Sequence, residues 1–135
     1  MLDNDTFCTT IFRGNPAKVF LLESWLPDQI LYSIAQENNL FEIAFIIKNE
    51  TDYSIRWFNR SGEEILCGRG TLAAAHVVNT FLRKSSCDPI IFKTNFYGNL
   101  TVTPIGHDNY KIFMPIINVE PITHDSFAFL DHINI

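Results

Sequence analysis

Apolar and polar positions alternate along much of this chain with a period of two, and in two places the period lengthens to three and four. Residues 7–12 and 17–22 read as strands joined across Arg13-Gly14-Asn15-Pro16, where a glycine and an Asn-Pro pair mark a tight turn. Pro27 suits the first turn of a helix, and Asp28 follows on the positive end of the dipole. Ile30, Leu31, Ile34 and Ala35 recur at helical intervals and turn one face inward, with the helix ending near Asn38-Asn39. Residues 53–59 alternate as a strand, with Ile55 and Trp57 or their alternates facing the core. The turn Arg60-Ser61-Gly62 and a short strand at Ile65-Leu66 come next. Past residue 82, strands are expected at 90–94, 100–103 and 110–114, with turns at Tyr97-Gly98-Asn99 and at residues 106–109. Arg83-Lys84 suit the negative end of the helix before them.

The stretch that organises the rest is residues 67–81. Two glycines, a cysteine and an arginine open onto an alanine-rich run without proline, which favours a helix because alanine loses no side-chain entropy there. From Thr71 to Leu82 the polar residues are His76, Asn79 and threonines, so no broad charged face exists for water. The helix is therefore expected inside the molecule, wrapped by strands. Its first turn leaves N–H groups unsatisfied, and Gly68 and Gly70 let a carboxylate or phosphate approach them. A glycine-rich turn that merely enters a core helix is the competing reading, and spacing alone leaves both open.

With 135 residues the chain has the size of one domain, and 47% hydrophobic content with twelve phenylalanines calls for a well-packed interior. A net charge of -5 without a lysine or arginine block gives no electrostatic footprint for nucleic acid, so a small metabolite is the more natural partner. Three cysteines without CxxC spacing, and no apolar signal region after Met1, point to a reducing cytoplasm and no membrane. No histidine pair has metal spacing, and no phosphate loop, nucleophile elbow or dinucleotide fingerprint is present, so neither metal nor cofactor is expected. His76, inside the core helix, reads as a hydrogen-bonded structural residue.

Residues 40–47 form an apolar run broken by a single carboxylate, Glu42. An ionised carboxylate in such a run needs a partner or a shifted pKa, which makes Glu42 a functional candidate. A place at the start of a strand with its head in solvent accounts for it equally well.

Several stretches together carry a likeness. Gly14-Asn15-Pro16-Ala17, Trp25-Leu26-Pro27-Asp28, Asn39-Leu40-Phe41-Glu42-Ile43-Ala44-Phe45, Arg56-Trp57-Phe58 and Cys67-Gly68-Arg69-Gly70-Thr71-Leu72-Ala73 resemble, in order and spacing, the N-terminal half of the phenazine-biosynthesis-like isomerases, the PhzF family. The resemblance spans about residues 7 to 115. Residues 119–135 show no dominant period and read as an extended tail or arm, or a short helix near residues 126–130. The resemblance implies an α+β, diaminopimelate-epimerase-like lobe at 1–118: a curved, mostly antiparallel sheet or open barrel around a central apolar helix. It also implies that Glu42 stands where the family's glutamate moves a proton on a small carboxylic acid. Gly68, Arg69, Gly70 and Thr71 would bind the substrate's carboxylate, in line with the anion-site reading.

The departures are chemical. Arg69 replaces the histidine usual after Cys-Gly, and an arginine keeps its proton, so it can clamp an anion but not shuttle a proton. Phe41 and Ile43 replace small hydroxylated neighbours of the glutamate. Cys67-Gly68-Arg69-Gly70 also resembles the Cys-Gly-Asn-Gly of diaminopimelate epimerase, whose thiols exchange an α-proton. A helix tip lowers a thiol pKa, which makes Cys67 a second catalytic candidate behind its reading as a buried structural cysteine. Family chains carry a second lobe, so the expectation is a single-lobe isomerase that acts by proton transfer and pairs as a homodimer. The alternative is an inactive lobe that binds a small anion or serves as an assembly partner.

Overall fold

A computed structural model describes residues 7–11, 16–83, 86–106, 109–113 and 132–134. Among the described residues, nine strands and two α-helices follow one another: β1 (Phe7–Ile11), β2 (Ala17–Leu22), α1 (Asp28–Glu37), β3 (Glu42–Lys48), β4 (Tyr53–Asn59), β5 (Gly62–Glu64), α2 (Gly68–Val77), β6 (Ile90–Lys93), β7 (Asn99–Pro104), β8 (Asn109–Phe113) and β9 (His132–Asn134). They form one sheet in the order β1-β2-β3-β4-β6-β7-β8-β9, with β5 paired to β4. The sheet is α+β in class and does not close into a barrel. Antiparallel pairings dominate, but β2 with β3 and β4 with β6 run parallel. A parallel pair needs a crossover, and here each crossover contains a helix, α1 for the first and α2 for the second.

Strand alternation assigns the two helices to opposite faces. Val19, Ala44, Ile46, Ile55, Trp57, Phe92, Leu100, Val102 and Ile112 pack with α2 into the larger core. Phe20, Leu22, Ile43, Phe45 and Phe58 point the other way and bury Leu31, Ile34 and Ala35 of α1. Alanines at 73–75 let strands approach α2 from several sides, and all three are at most 2% exposed.

Several local expectations are corrected. Pro27 precedes α1 as its cap residue, with ψ at 147°, and its carbonyl accepts the N–H groups of Ile30 and Leu31 at 2.9 and 3.1 Å. Ile30 is 41% exposed, so the inward face of α1 is narrower than the periodicity suggests. The short strand expected at Ile65-Leu66 lies earlier, at Gly62–Glu64, because the two-residue turn at Arg60-Ser61 pairs Asn59 with Gly62 and starts the ladder at once. Gly62 takes φ +131°, a value that L side chains rarely adopt, and Asn59 Oδ1 receives the Ser61 N–H at 2.7 Å. The central helix ends its regular turns at Val77 and widens to a π-helical turn over Val78–Leu82, closed by the Arg83 N–H on the Val78 carbonyl at 2.8 Å. The turn at Arg13-Gly14-Asn15, the helix expected near residues 126–130 and the boundary at 118 lie outside the described residues.

Candidate active site

The N-terminus of α2 is built by Cys67. Its extended backbone (φ −142°, ψ 107°) puts Sγ where it accepts the Gly70 N–H at 3.2 Å, the position a serine or aspartate cap takes elsewhere. The Thr71 hydroxyl donates to the Cys67 carbonyl at 2.7 Å and is fully buried. Gly70 is glycine for a packing reason: an added Cβ would stand 2.7 Å from Trp57 Cδ1. Gly68 is half-buried and Arg69 exposed, and their first-turn N–H groups precede the helix's own hydrogen bonds.

Glu42 opens β3, as the solvent reading expected, but it is half-buried and its head turns to the helix tip. Alternation along β3 puts it on the face of Ala44 and Ile46, the face that covers α2. The Cys67 thiol donates to Glu42 Oε1 at 3.4 Å, joining residues 25 apart in sequence. Glu64 arrives from the β4–β5 hairpin, where its register partner is Trp57. One oxygen each of Glu42 and Glu64 and the Cys67 sulfur lie within 4.8 Å of one another. Asn59 Nδ2 holds Glu64 Oε2 at 2.8 Å.

The electrostatics follow from this crowding. Burial pushes the Glu64 carboxyl up to about 7, helped by its hydrogen bond to Glu42 and by that residue's charge, while the Asn59 amide opposes the rise. Burial, followed by the charges of Glu42 and Glu64, pushes the Cys67 thiol well above its usual range, and the Gly70 N–H offsets only part of that. This corrects the thiolate expectation for Cys67. The helix tip does act on the sulfur, but two carboxyls outweigh it, and Cys67 is a protonated donor.

A cleft of about 290 Å³ lies beside the cluster, with Pro16, Phe41, Glu42, Asn59 and Arg60 among its walls. Gly68, Arg69, Gly70 and Thr71 do not line it. Glu42 therefore connects an open cleft on one side with the helix tip on the other. The Trp57 indole N–H, in a side chain 2% exposed, has no acceptor among the described residues. Glu64 and Asn59 escaped the sequence reading, which gave Trp57 a place in the core and no part in the site. His76 Nδ1 stands 3.2 Å from the Tyr110 hydroxyl, away from this cluster, in keeping with a structural residue.

Residues 4–126 match the family described as phenazine biosynthesis-like protein, PhzC-PhzF. The chain belongs to the PhzF family. An uncharacterized isomerase of Pseudomonas aeruginosa is 40% identical over 117 residues, which are 87% of this chain and 44% of that protein. The crystal structure of a PhzF-family phenazine biosynthesis protein from Enterococcus faecalis superposes with a TM-score of 0.65 at 40% identity, over 74% of this chain and 37% of the other. A Pseudomonas aeruginosa protein described as a predicted epimerase shares the fold at 15% identity, with a TM-score of 0.52 over 71% of this chain and 36% of its own. This PhzF-family chain thus spans less than half the length of that curated relative. Among the described residues no helix is long and apolar enough to cross a membrane.

Proposed function

We propose that this chain is a PhzF-like isomerase lobe in which Glu42 moves a proton on a small carboxylic acid. The observation that carries the reading is a half-buried carboxylate that lines an open cleft and also bonds the cap of a helix N-terminus. A base needs access to its substrate and a partner that directs it, and Glu42 has the cleft on one side and the Cys67 thiol on the other. The substrate's own carboxylate would rest near Gly68 and Arg69, whose N–H groups are unused by the helix, while Gly70 and Thr71 hold the tip in shape through Cys67. Loss of that proton would leave the substrate as an enolate, stabilised by nearby donors.

The test is solvent-deuterium incorporation into small acids bearing a C–H next to a carboxyl group, followed by mass spectrometry. Incorporation should fall at least about 100-fold in Glu42→Gln. A folded wild type that exchanges none of them, or a variant that matches it, refutes the proposal.

The cleft is open in this lobe, and Leu40 (80% exposed) and Ile65 (53% exposed) are the apolar neighbours in sequence of Glu42 and Cys67. We place a second copy of the chain against them, giving a homodimer, in a cytoplasmic setting that its free cysteines suit. Light scattering should give twice the chain mass, and Leu40→Glu with Ile65→Glu should halve it. The exposed guanidinium of Arg69 favours one further reading, an inactive lobe that binds a small anion. Anion binding that survives Glu42→Gln but is lost in Arg69→Ala, without any exchange, would select it.

A further inference from the structure

We propose that Glu64 is the positioning partner of Glu42: the two carboxyls share one proton, and that proton decides the state in which Glu42 meets the substrate. The inference rests on the proton-transfer reading of Glu42 and adds a residue to it.

The register of the β4–β5 hairpin sets Glu64 opposite Trp57, on the face toward α2, while Glu63 points away and is held by both arms of Arg56 at 2.7 and 2.8 Å. One carboxyl oxygen of Glu64 and one of Glu42 lie within 4.8 Å of each other, and Asn59 holds Glu64 in that place. Two like charges this close disfavour ionisation of both, and one proton between them relieves the repulsion. Cations on neighbouring elements do not remove that repulsion. Arg56 is engaged with Glu63 and Asp28 on the opposite face, and Lys18 of β2 donates to Asn38 at 2.6 Å. Arg69 is exposed, and Arg60 stands on the cleft wall. The third group in the cluster, Cys67, keeps its own proton and donates to Glu42, and Asn59 donates to Glu64.

A second observation points to an oxygen ligand here. The Trp57 N–H is buried without an acceptor among the described residues, and its pyrrole edge meets Gly70 next to Cys67 Sγ: a Cβ on Gly70 would lie 3.4 Å from Nε1 and 3.3 Å from Sγ. A buried donor left open in this way suits a bound carboxylate or enolate oxygen.

The pair starts with one proton and one negative charge. Glu42 takes a proton from the substrate carbon; the C–H bond breaks, its electrons stay on the substrate as an enolate, and an O–H bond forms on Glu42. The pair is then neutral with two protons. Return of either proton to carbon restores the starting state, and no oxidant or co-reactant is needed.

The test follows the carboxyl carbons of 13C-glutamate-labelled full chain by NMR across pH, in wild type, Glu42→Gln, Glu64→Gln and Glu64→Asp, alongside the pH profile of deuterium exchange. One wild-type carboxyl should titrate near about 7, and in Glu42→Gln it should move part of the way toward the ordinary glutamate range, because burial remains while the neighbouring charge is gone. Exchange should fall above that point in wild type, where the pair loses its shared proton and its two negative charges repel the anionic acid. That limb should vanish in Glu64→Gln and reappear in Glu64→Asp. A wild type in which every glutamate titrates below about pH 5.5, or an unchanged limb in a folded Glu64→Gln, overturns the proposal. A raised titration without exchange of any acid establishes the shared proton and counts against the isomerase reading alone.

Discussion

Replacing Gly70 by alanine sets two effects against each other at the tip of α2. Alanine is the better helix former, by up to about 1 kcal/mol, so propensity alone stabilises the variant. Packing opposes it. The new methyl would sit 2.7 Å from Trp57 Cδ1, closer than real Cβ contacts come, and 3.3 Å from Cys67 Sγ. Trp57 has little room to retreat, since it is 2% exposed and lies between β4 and the helix. Overpacking of this kind costs about 1–3 kcal/mol, and the third helical position realises only part of the propensity gain. Packing wins, and Gly70→Ala should be destabilised by about 1–2 kcal/mol, or roughly 3–6 °C in Tm.

Urea unfolding followed by circular dichroism gives the first number, and a double-mutant cycle identifies its cause. Trp57→Val removes the ring atoms that the new methyl would meet, so the cost of Gly70→Ala should shrink by about 1 kcal/mol in that background. A Gly70→Ala protein at least as stable as wild type would refute the packing account. An equal cost with and without Trp57 would do so as well, and would return Gly70 to the reading in which its bareness serves a ligand.

Three further outcomes are expected. Arg56 is 8% exposed and lies over the rings of Trp25 and Phe58 at 5.4 Å each, so Arg56→Ala should cost about 2–3 kcal/mol in urea unfolding, whereas Asp28→Asn should cost below about 0.5 because that carboxylate is 77% exposed. Cys87 should react with a thiol reagent far faster than buried Cys67, and a Cys67 that reacts at the same rate in folded protein would contradict the raised thiol. For stability against pH the sign follows from Glu64. Its folded pKa near 7 is above the usual 4.5, so the fold binds this proton more tightly than the unfolded chain; the contribution is full below about 4.5 and is lost as pH rises through about 7. Solvent screening of a half-buried carboxyl limits the loss to about 1–2 kcal/mol, and Glu64→Gln should flatten that part of the curve.

Much of the fold was legible because its signals are local. Alternation at 53–59 needed no knowledge of neighbours, and the alanine run after Cys67 announced a buried helix through composition alone. The errors arise where a neighbour decides. Ile30 has helical spacing, yet the apolar face that receives α1 is used up by Leu31, Ile34 and Ala35. Ile65 and Leu66 look like a strand, but the tight turn at Arg60-Ser61 had already paired the three residues before them. The widening at Val78–Leu82 is likewise invisible in a sequence whose helical preference runs on without a break.

The candidate site divides along the same line. Glu42 stood out as a charge in an apolar run, a contrast that any reader of the chain can see, whereas Glu64 sits beside another glutamate after a turn and looks like ordinary solvated surface. What separates Glu63 from Glu64 is strand parity. One-residue alternation sends the first to Arg56 and the second to Glu42, and the hairpin register that fixes this comes from the turn rather than from either glutamate. The thiol shows the same logic with the opposite sign. Local reasoning assigned Cys67 the field of a helix tip, which favours thiolate, but folding then brought two carboxyls against it from β3 and β5. A cluster made this way depends on register, because the pairing of β5 with β4 alone decides which of the two adjacent glutamates meets Glu42 and which meets Arg56.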